Sequence, residues 1–510
     1  MFKRVLIANR GLIQANCVRA VKELGATAIT VFEEEDRESA GVRNADEAYE
    51  LEIRDPRQRP YLDLEQIVEL AEELKVDAVH PGYGFLAQNG KFATELEDRG
   101  IRLIAPRVDG RFNLSNKFRV KEAAERVGMP VLKGSELFSD RETLLLAAKS
   151  LEYPMILKAT HGYGGIGMRI VRSQSELESA FDHIQATTRK FLMNSPEVFL
   201  EEFVSGARHI EFPILRDEGG RTIVFPELEC PLQRRFQKLV LETPAPHLDP
   251  SMRAQLQSEI QVLCDRLKIK GFASVEFLIH EGTPHFLEIN GYIQPSHTAT
   301  SLLTGVDLLK EQIRLLSGES LDVDRACTIP NHHVIGTYVY AEDPEMNFTP
   351  SPGKVDRLYL PFGEGVFMQT SIFSGASISP FYDPMVAKLL VRGCTRDEAM
   401  LKMGIALEEF FVEGVKTNIP LMRGVFKSDE FKDGTISPEF IADADNRRKL
   451  VDSLKSSKDF EVAALVASLS LNQDGETLRK IEVMEAEQAS SSVLGAATRW
   501  LKPRKSRRKL

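Results

Sequence analysis

Two glutamates and an asparagine set around a tight turn are the residues in this 510-residue chain best placed to do chemistry. Ser274–His280 alternates as a strand does, Glu281-Gly282-Thr283 supplies a three-residue turn, and Pro284–Asn290 alternates again. A hairpin symmetric about Gly282 sets Glu276 opposite Glu288, with Asn290 two residues on and on the same face. Like charges directly opposite destabilise a hairpin by up to about 1 kcal/mol even in water. Phe277, Phe286 and Leu287 beside them imply a partly buried setting, where repulsion is stronger. Either a proton is shared or a cation sits between the acids. Two carboxylates and an amide form a hard oxygen set suited to Mg²⁺, which takes its remaining ligands from water and substrate phosphates. The plain alternative is an edge hairpin with both acids in water.

A second constellation lies upstream. Gly162-Tyr163-Gly164-Gly165-Ile166-Gly167 fits the spacing of a dinucleotide fingerprint, but Met168-Arg169-Ile170-Val171 reads as a strand where that fingerprint demands a helix. Strand, glycine loop, strand is instead a flap whose backbone N–H groups can close on phosphate oxygens. Lys158, on the incoming strand, adds a point charge. A glycine-rich turn with no ligand is the rival reading.

The elements that must position these groups are legible in outline. A buried strand over 3–9, a helix over 12–24 ending at Gly25, a strand at Thr27–Phe32, a helix at Leu62–Leu74 and short strands at Val76–Val79 and Arg102–Ile104 predict a parallel, doubly wound sheet over 1–115. HPGYGFL (80–86) follows a strand end, where open α/β sheets bind ligands. From 116 a helix (Lys117–Gly128) leads into strand–turn–strand and helix units, antiparallel strands at 209–215 and 222–228, a helix at Pro250–Leu267 and the acidic hairpin. A third, mixed α+β region over 330–446 carries strands at His333–Tyr340, Gly353–Leu360 and Met385–Val391 and a helix at Arg396–Phe411. The remaining 447–510 forms a helix-prone, polar tail with a basic end, LKPRKSRRKL.

A formal charge of −10 argues against wholesale nucleic-acid binding, which needs a broad basic surface, although one pocket can still bind anions. The five cysteines are dispersed without CxxC spacing, which predicts reduced thiols and no zinc site in a cytoplasmic protein. No apolar window reaches the roughly 18 residues of a membrane span.

Taken in order, these elements resemble the biotin carboxylase family of the ATP-grasp superfamily. The likeness covers 1–445 and rests on IANRG (7–11), HPGYGFL (80–86), Lys117, KAxxGxGGxG (158–167), RHIEF (208–212), CPLQRRFQK (230–238), VEFL (275–278), LEIN (287–290), TGVDL (304–308), AEDP (341–344), SPGK (351–354) and YDPMVAKL (382–389). The resemblance implies a pre-ATP-grasp N-terminal domain, an ATP-grasp domain over 116–329 with a lid at about 130–204, and a biotin carboxylase C-terminal domain. It implies that Lys117, Lys158, Gly162, Gly164, Gly165 and Gly167 hold phosphates. Glu201 and Val204 match the adenine hinge, with Glu202 where a lysine is usual. His209 and Gln233 match nucleotide contacts, Phe236 stands where the family has histidine, and Glu276, Glu288 and Asn290 match ligands to Mg²⁺ or Mn²⁺.

The other half of the resembled site is altered. Where the family has N-T-R-x-Q-V-E-H, this chain has Asn290-Gly291-Tyr292-Ile293-Gln294-Pro295-Ser296-His297. Tyr292 replaces an arginine that binds bicarbonate, Ser296 replaces the base, and Tyr338 replaces an arginine that stabilises the biotin enolate; Lys238 and Gln294 remain. A positioned base contributes about 10²–10⁴-fold, and serine alone cannot supply it; His297 is the alternative candidate. The resemblance implies ATP-dependent carboxylation, with bicarbonate, of biotin on a separate carrier protein beside a carboxyltransferase, in a homodimer or a heteromer with a family member. The changed residues leave two alternatives open: a nucleotide-binding or regulatory subunit, or an ATP-grasp ligase for another small carboxylate.

Overall fold

The computed structural model describes residues 1–454, apart from 56–57, 85, 109–113, 163–164, 166, 193–196, 322–331 and the side chains of 189–192. Cys327, Gly164, the apolar stretch of the tail and its basic end therefore lie outside the described residues. Residues Met1–Leu450 form one compact unit.

The N-terminal segment folds as its alternation predicts. Arg4–Ile7, Thr27–Phe32, Glu47–Glu50, Ala78–His80 and Arg102–Leu103 make a five-stranded parallel sheet in the order third, second, first, fourth, fifth. Val5, Leu6 and Ile7 are fully buried, as a central parallel strand covered on both faces must be. The edge strand Glu47–Glu50 adds to the sequence expectation, because EAYE carries no apolar run to announce it. After Ala78–His80 the chain turns sharply: Asn9 Nδ2 donates to the carbonyls of Pro81 (2.7 Å) and Tyr83 (2.8 Å). Gly82 has φ +63°, and a Cβ there would stand 2.8 Å from Asn9 Nδ2, so the IANRG and HPGYGFL segments lock at a glycine.

The flap is built around the strand Met155–Ala159, paired antiparallel with Met168–Val171 on one side and Val198–Glu202 on the other. A larger sheet carries the rest. Thr283–Asn290, Gly271–His280, Arg208–Arg216, Leu228–Arg234, Gln237–Thr243, His333–Tyr340, Met385–Gly393 and Val366–Thr370 follow one another across it, and Thr222–Val224 pairs with Arg208–Arg216. Strands from both sides of residue 330 share this one ladder. The hairpin Leu228–Arg234/Gln237–Thr243 escapes sequence reading because all of Leu228–Arg234 is buried, polar residues included, which erases the alternation. The expected single strand at Gly353–Leu360 is instead two short strands, Gly353–Lys354 and Arg357–Tyr359. The helix Pro250–Leu267 matches its prediction: proline opens it, and the Asp249 side chain accepts from the backbone N–H groups of Ser251 and Met252.

The acidic hairpin corrects one expectation while keeping its result. Its turn has two residues, Glu281 (φ 48°) and Gly282 (φ 77°), both left-handed as a type I′ turn requires, and Thr283 already pairs with His280. A regular ladder from that turn would set Glu288 opposite Val275. A bulge at Leu287 shifts the register between Phe277↔Phe286 and Glu276↔Glu288, and so brings the two acids face to face.

Candidate active site

Glu276 and Glu288 sit at the floor of a cleft of about 660 Å³. Of the site residues expected from sequence, all described ones line it except Gly167, Glu201 and the alternative base His297. Glu276 is 2% exposed. Asn290 Nδ2 bridges the pair, donating to Glu276 Oε1 (2.9 Å) and Glu288 Oε1 (3.0 Å). His209 Nε2 lies 2.6 Å from Glu276 Oε2, and Gln233 Nε2 lies 2.6 Å from His209 Nδ1. Lys117 Nζ donates to Glu288 Oε2. Burial pushes the Glu276 carboxyl up, but Lys238 and His209 outweigh it and hold it well below the usual carboxylate range. Glu288 is also lowered: burial and the facing Glu276 raise it, and Lys117, with the Asn290 hydrogen bond, outweighs them. Their cationic neighbours thus favour the ionised form of both acids over a shared proton. Among the described residues no three His, Cys, Asp or Glu converge as a self-sufficient metal cage. Two carboxylates and an amide oxygen fit instead a cation that draws further ligands from a phosphate substrate, as Mg²⁺ does.

The phosphate side of the cleft rests on a lysine relay that the sequence hides. Glu201 is 4% exposed and is not among the residues that line the cleft. Its carboxylate accepts from Lys121 Nζ (2.5 Å) and is ion-paired with Lys158. Burial raises Glu201, and the two lysines overcome this and keep it ionised. From the expected hinge, Glu202, Phe203 and Val204 line the cleft, whereas the Glu201 side chain is paired with Lys158. Gly162 and Gly165 of the flap reach the cleft. Gly165 has φ +81°, and a Cβ there would come 2.5 Å from the Arg235 carbonyl oxygen. The flap thus closes on the turn that carries Phe236, itself part of the lining.

The acceptor side is built on Lys238. Its ammonium meets Glu211 Oε2 (2.5 Å), Glu276 Oε1 (2.9 Å) and Gln294 Oε1 (3.3 Å). Burial lowers the Lys238 pKa, yet Cys230, Glu211 and Glu276 outweigh it, so the side chain stays a cation. Gln294 Nε2 donates to Ser274 Oγ (2.6 Å) and Glu276 Oε1 (2.7 Å). Ser296 Oγ donates to Glu211 Oε1 (2.8 Å). Glu211 is fully buried and is a site residue that sequence reasoning misses, although it sits in the RHIEF motif two residues after His209. Tyr338 is 3% exposed, and its hydroxyl finds no hydrogen-bond partner among the described residues. His297 does not serve the cleft: Nδ1 lies 2.7 Å from the Gln294 carbonyl oxygen, and burial pulls its pKa down to about 3.

A glycine flap over a cleft, lysines along its wall and facing carboxylates on an antiparallel sheet define an ATP-grasp type of nucleotide site. Comparison with known proteins makes the class specific. Residues 1–110 match the biotin carboxylase N-terminal domain, 116–324 the carbamoyl-phosphate synthase L chain ATP-binding domain, and 337–443 the biotin carboxylase C-terminal domain. Biotin carboxylase of Halalkalibacterium halodurans is 37% identical over 443 residues, 86% of this chain and 97% of that protein. Biotin carboxylase of Pseudomonas aeruginosa is 36% identical, covering 86% and 98%. Among solved structures, the biotin carboxylase domain dimer of Hydrogenobacter thermophilus 2-oxoglutarate carboxylase, in complex with MgADP, ADP and bicarbonate, superimposes with a TM-score of 0.82 at 35% identity, covering 88% of this chain and 98% of that one. The chain belongs to the biotin carboxylase family. No helix among the described residues is long and apolar enough to cross a membrane.

Proposed function

We propose that this chain binds MgATP and carries out ATP-dependent carboxylation, with bicarbonate, of biotin presented by a separate carrier protein. The observation that carries this reading is the pair of ionised, facing carboxylates Glu276 and Glu288 beside Lys117, Lys158 and the flap. Glu276, Glu288 and Asn290 would hold Mg²⁺, which when bound screens the acids from each other and from the nucleotide phosphates. Lys117 and Lys158 supply fixed positive charge to those phosphates, Val204 and its neighbours line the base end, and His209 with Gln233 orients Glu276. Lys238 and Gln294 provide the cation and amide that receive the small anion. As in the dimeric relative, a second copy or a close homologue would pair with this chain, in the cytoplasm, alongside a carboxyltransferase.

The residues around the acceptor favour a second reading. Tyr292, Ser296 and Tyr338 have replaced two cations and a base, and a neutral hydrogen bond is roughly half as strong as a charge-assisted one. Tyr338 borders the cleft with a buried, neutral hydroxyl that has no hydrogen-bond partner among the described residues, where the resembled pattern has a cation. That suits a ligase for a different small carboxylate better than a closed, purely regulatory protein.

One assay series separates the readings: ATP turnover with bicarbonate and free biotin, then with other carboxylates. Biotin- and bicarbonate-dependent phosphate release supports the first. Turnover that another carboxylate alone stimulates supports the second. If neither occurs, the triple change Tyr292→Arg, Ser296→Glu and Tyr338→Arg tests whether only the acceptor half had been lost.

A further inference from the structure

Lys388 lies in the middle of the strand Met385–Gly393 and is fully buried. Its ammonium donates to the carbonyl oxygen of Pro295 at 3.0 Å. Tyr338 and Gln369 stand opposite it in the two flanking strands, so the three share one face of the sheet. The other groups around it come from separate elements: Cys17 from the helix Gly11–Glu23, the Tyr83 ring 5.8 Å away from the HPGYGFL segment, and His297 from the helix His297–Thr304, with His80 beyond it. None of these is a carboxylate. An ammonium buried without a counter-ion is costly, and a neutral donor could tie a carbonyl more cheaply.

The tie holds the acceptor loop at a residue that no other hydrogen bond among the described residues anchors, between neighbours whose carbonyls already accept from His297 and Ala299. Pro295 has no N–H to give. Its neighbours are held through their side chains, Gln294 to Ser274 and Glu276, and Ser296 to Glu211. We propose that Lys388 is the positioning residue of the acceptor loop: its ammonium fixes the Pro295 carbonyl and thereby sets where Gln294 and Ser296 stand against Lys238 and Glu211. This rests on the reading of 291–296 as the acceptor wall. Burial pulls the Lys388 pKa down to about 7. As pH rises through neutrality the ammonium therefore gives way to a neutral amine, whose hydrogen bond to the Pro295 carbonyl is roughly half as strong, and the loop loosens.

Amide hydrogen exchange on the full chain tests this without relying on turnover. In Lys388→Met, protection of the amides in 291–297 should fall about ten- to a hundredfold, the weight of a hydrogen bond to a charged group. The flanking strand Met385–Gly393 and helix Gly11–Glu23 should exchange as before. In the unmutated chain the same loop should loosen between about pH 6 and about pH 8.5, after correction for intrinsic exchange, whereas Lys388→Arg, whose charge persists, should not. Unchanged loop protection in Lys388→Met overturns the proposal, and so does equal loosening of strand, helix and loop. If Lys388→Met does not fold, the pH comparison with Lys388→Arg decides alone, and a loop indifferent to pH refutes it. Bicarbonate-dependent ATP turnover, measured in parallel, should drop in Lys388→Met with nucleotide affinity unchanged. Its absence from the unmutated chain would refute the proposed function and leave the exchange result standing.

Discussion

Ser296 Oγ donates a 2.8 Å hydrogen bond to the fully buried carboxylate of Glu211. The position that carries the base in the resembled pattern is thus occupied here by a neutral donor to an existing acid. Ser296→Glu alone should therefore place a second buried carboxylate beside Glu211. An uncompensated buried charge costs about 3–5 kcal/mol, so urea unfolding of this single variant should show a clear loss. Adding Tyr292→Arg should return part of it.

Glu201 faces two lysines whose side chains are 13% and 6% exposed. Glu201→Ala leaves both cations without their carboxylate, and a destabilisation of about 3–5 kcal/mol is expected in denaturant titration. Glu201→Gln should weaken ATP binding with a smaller loss of stability, because Lys158 then lacks the charge that orients it. Equal ATP affinity in Glu201→Gln and the parent would contradict the relay.

Replacing either acid of the hairpin should uncouple nucleotide from metal. In Glu276→Gln and Glu288→Gln, calorimetric ATP affinity should lose most of its Mg²⁺ dependence, with at least about a tenfold weakening in the presence of the ion. The affinity measured with EDTA should change far less.

Gly165→Ala meets both a positive φ and the Arg235 carbonyl oxygen. The flap should then fail to close on the Arg235–Phe236 turn. Protease sensitivity of the flap should persist on adding ATP, whereas in the parent nucleotide should suppress it.

Two histidines predict a stability limb well above the carboxylate range. Burial pulls His80 down to about 4 and His297 to about 3 from an ordinary value of 6.5. A depressed folded pKa stabilises fully above the unfolded value and progressively less below it, so stability should begin to fall as pH drops through about 6.5 and continue falling towards the folded values. The His80→Gln/His297→Gln double variant should flatten the denaturant midpoint between about pH 6.5 and 4.5.

Glu276, Glu288 and Asn290 are legible in the sequence because a hairpin is a local object: alternation, a glycine turn and side-chain parity are all contained in seventeen residues, Ser274 to Asn290. Even so, a three-residue turn is one residue too long, and the bulge at Leu287 restores the pairing. The parallel sheet and the flap are legible for the same reason of local periodicity. Lys121, Glu211 and Lys388 are not. Each acquires its meaning from a partner far along the chain, Glu201, Ser296 and Pro295, and a buried lysine looks like a surface one until its neighbours are known. The Leu228–Arg234 strand is hidden because burial on both faces removes the polar beat that announces a strand.

Glu276 of Gly271–His280, Lys238 of Gln237–Thr243, Tyr338 of His333–Tyr340 and Lys388 of Met385–Gly393 are rungs of one hydrogen-bonded sheet. The spacing between these four side chains is thereby set by main-chain pairing, which exchanges of side chains that keep the ladder leave in place. Such a scaffold lets evolution retool one end by exchanging a few side chains while the other keeps its aim.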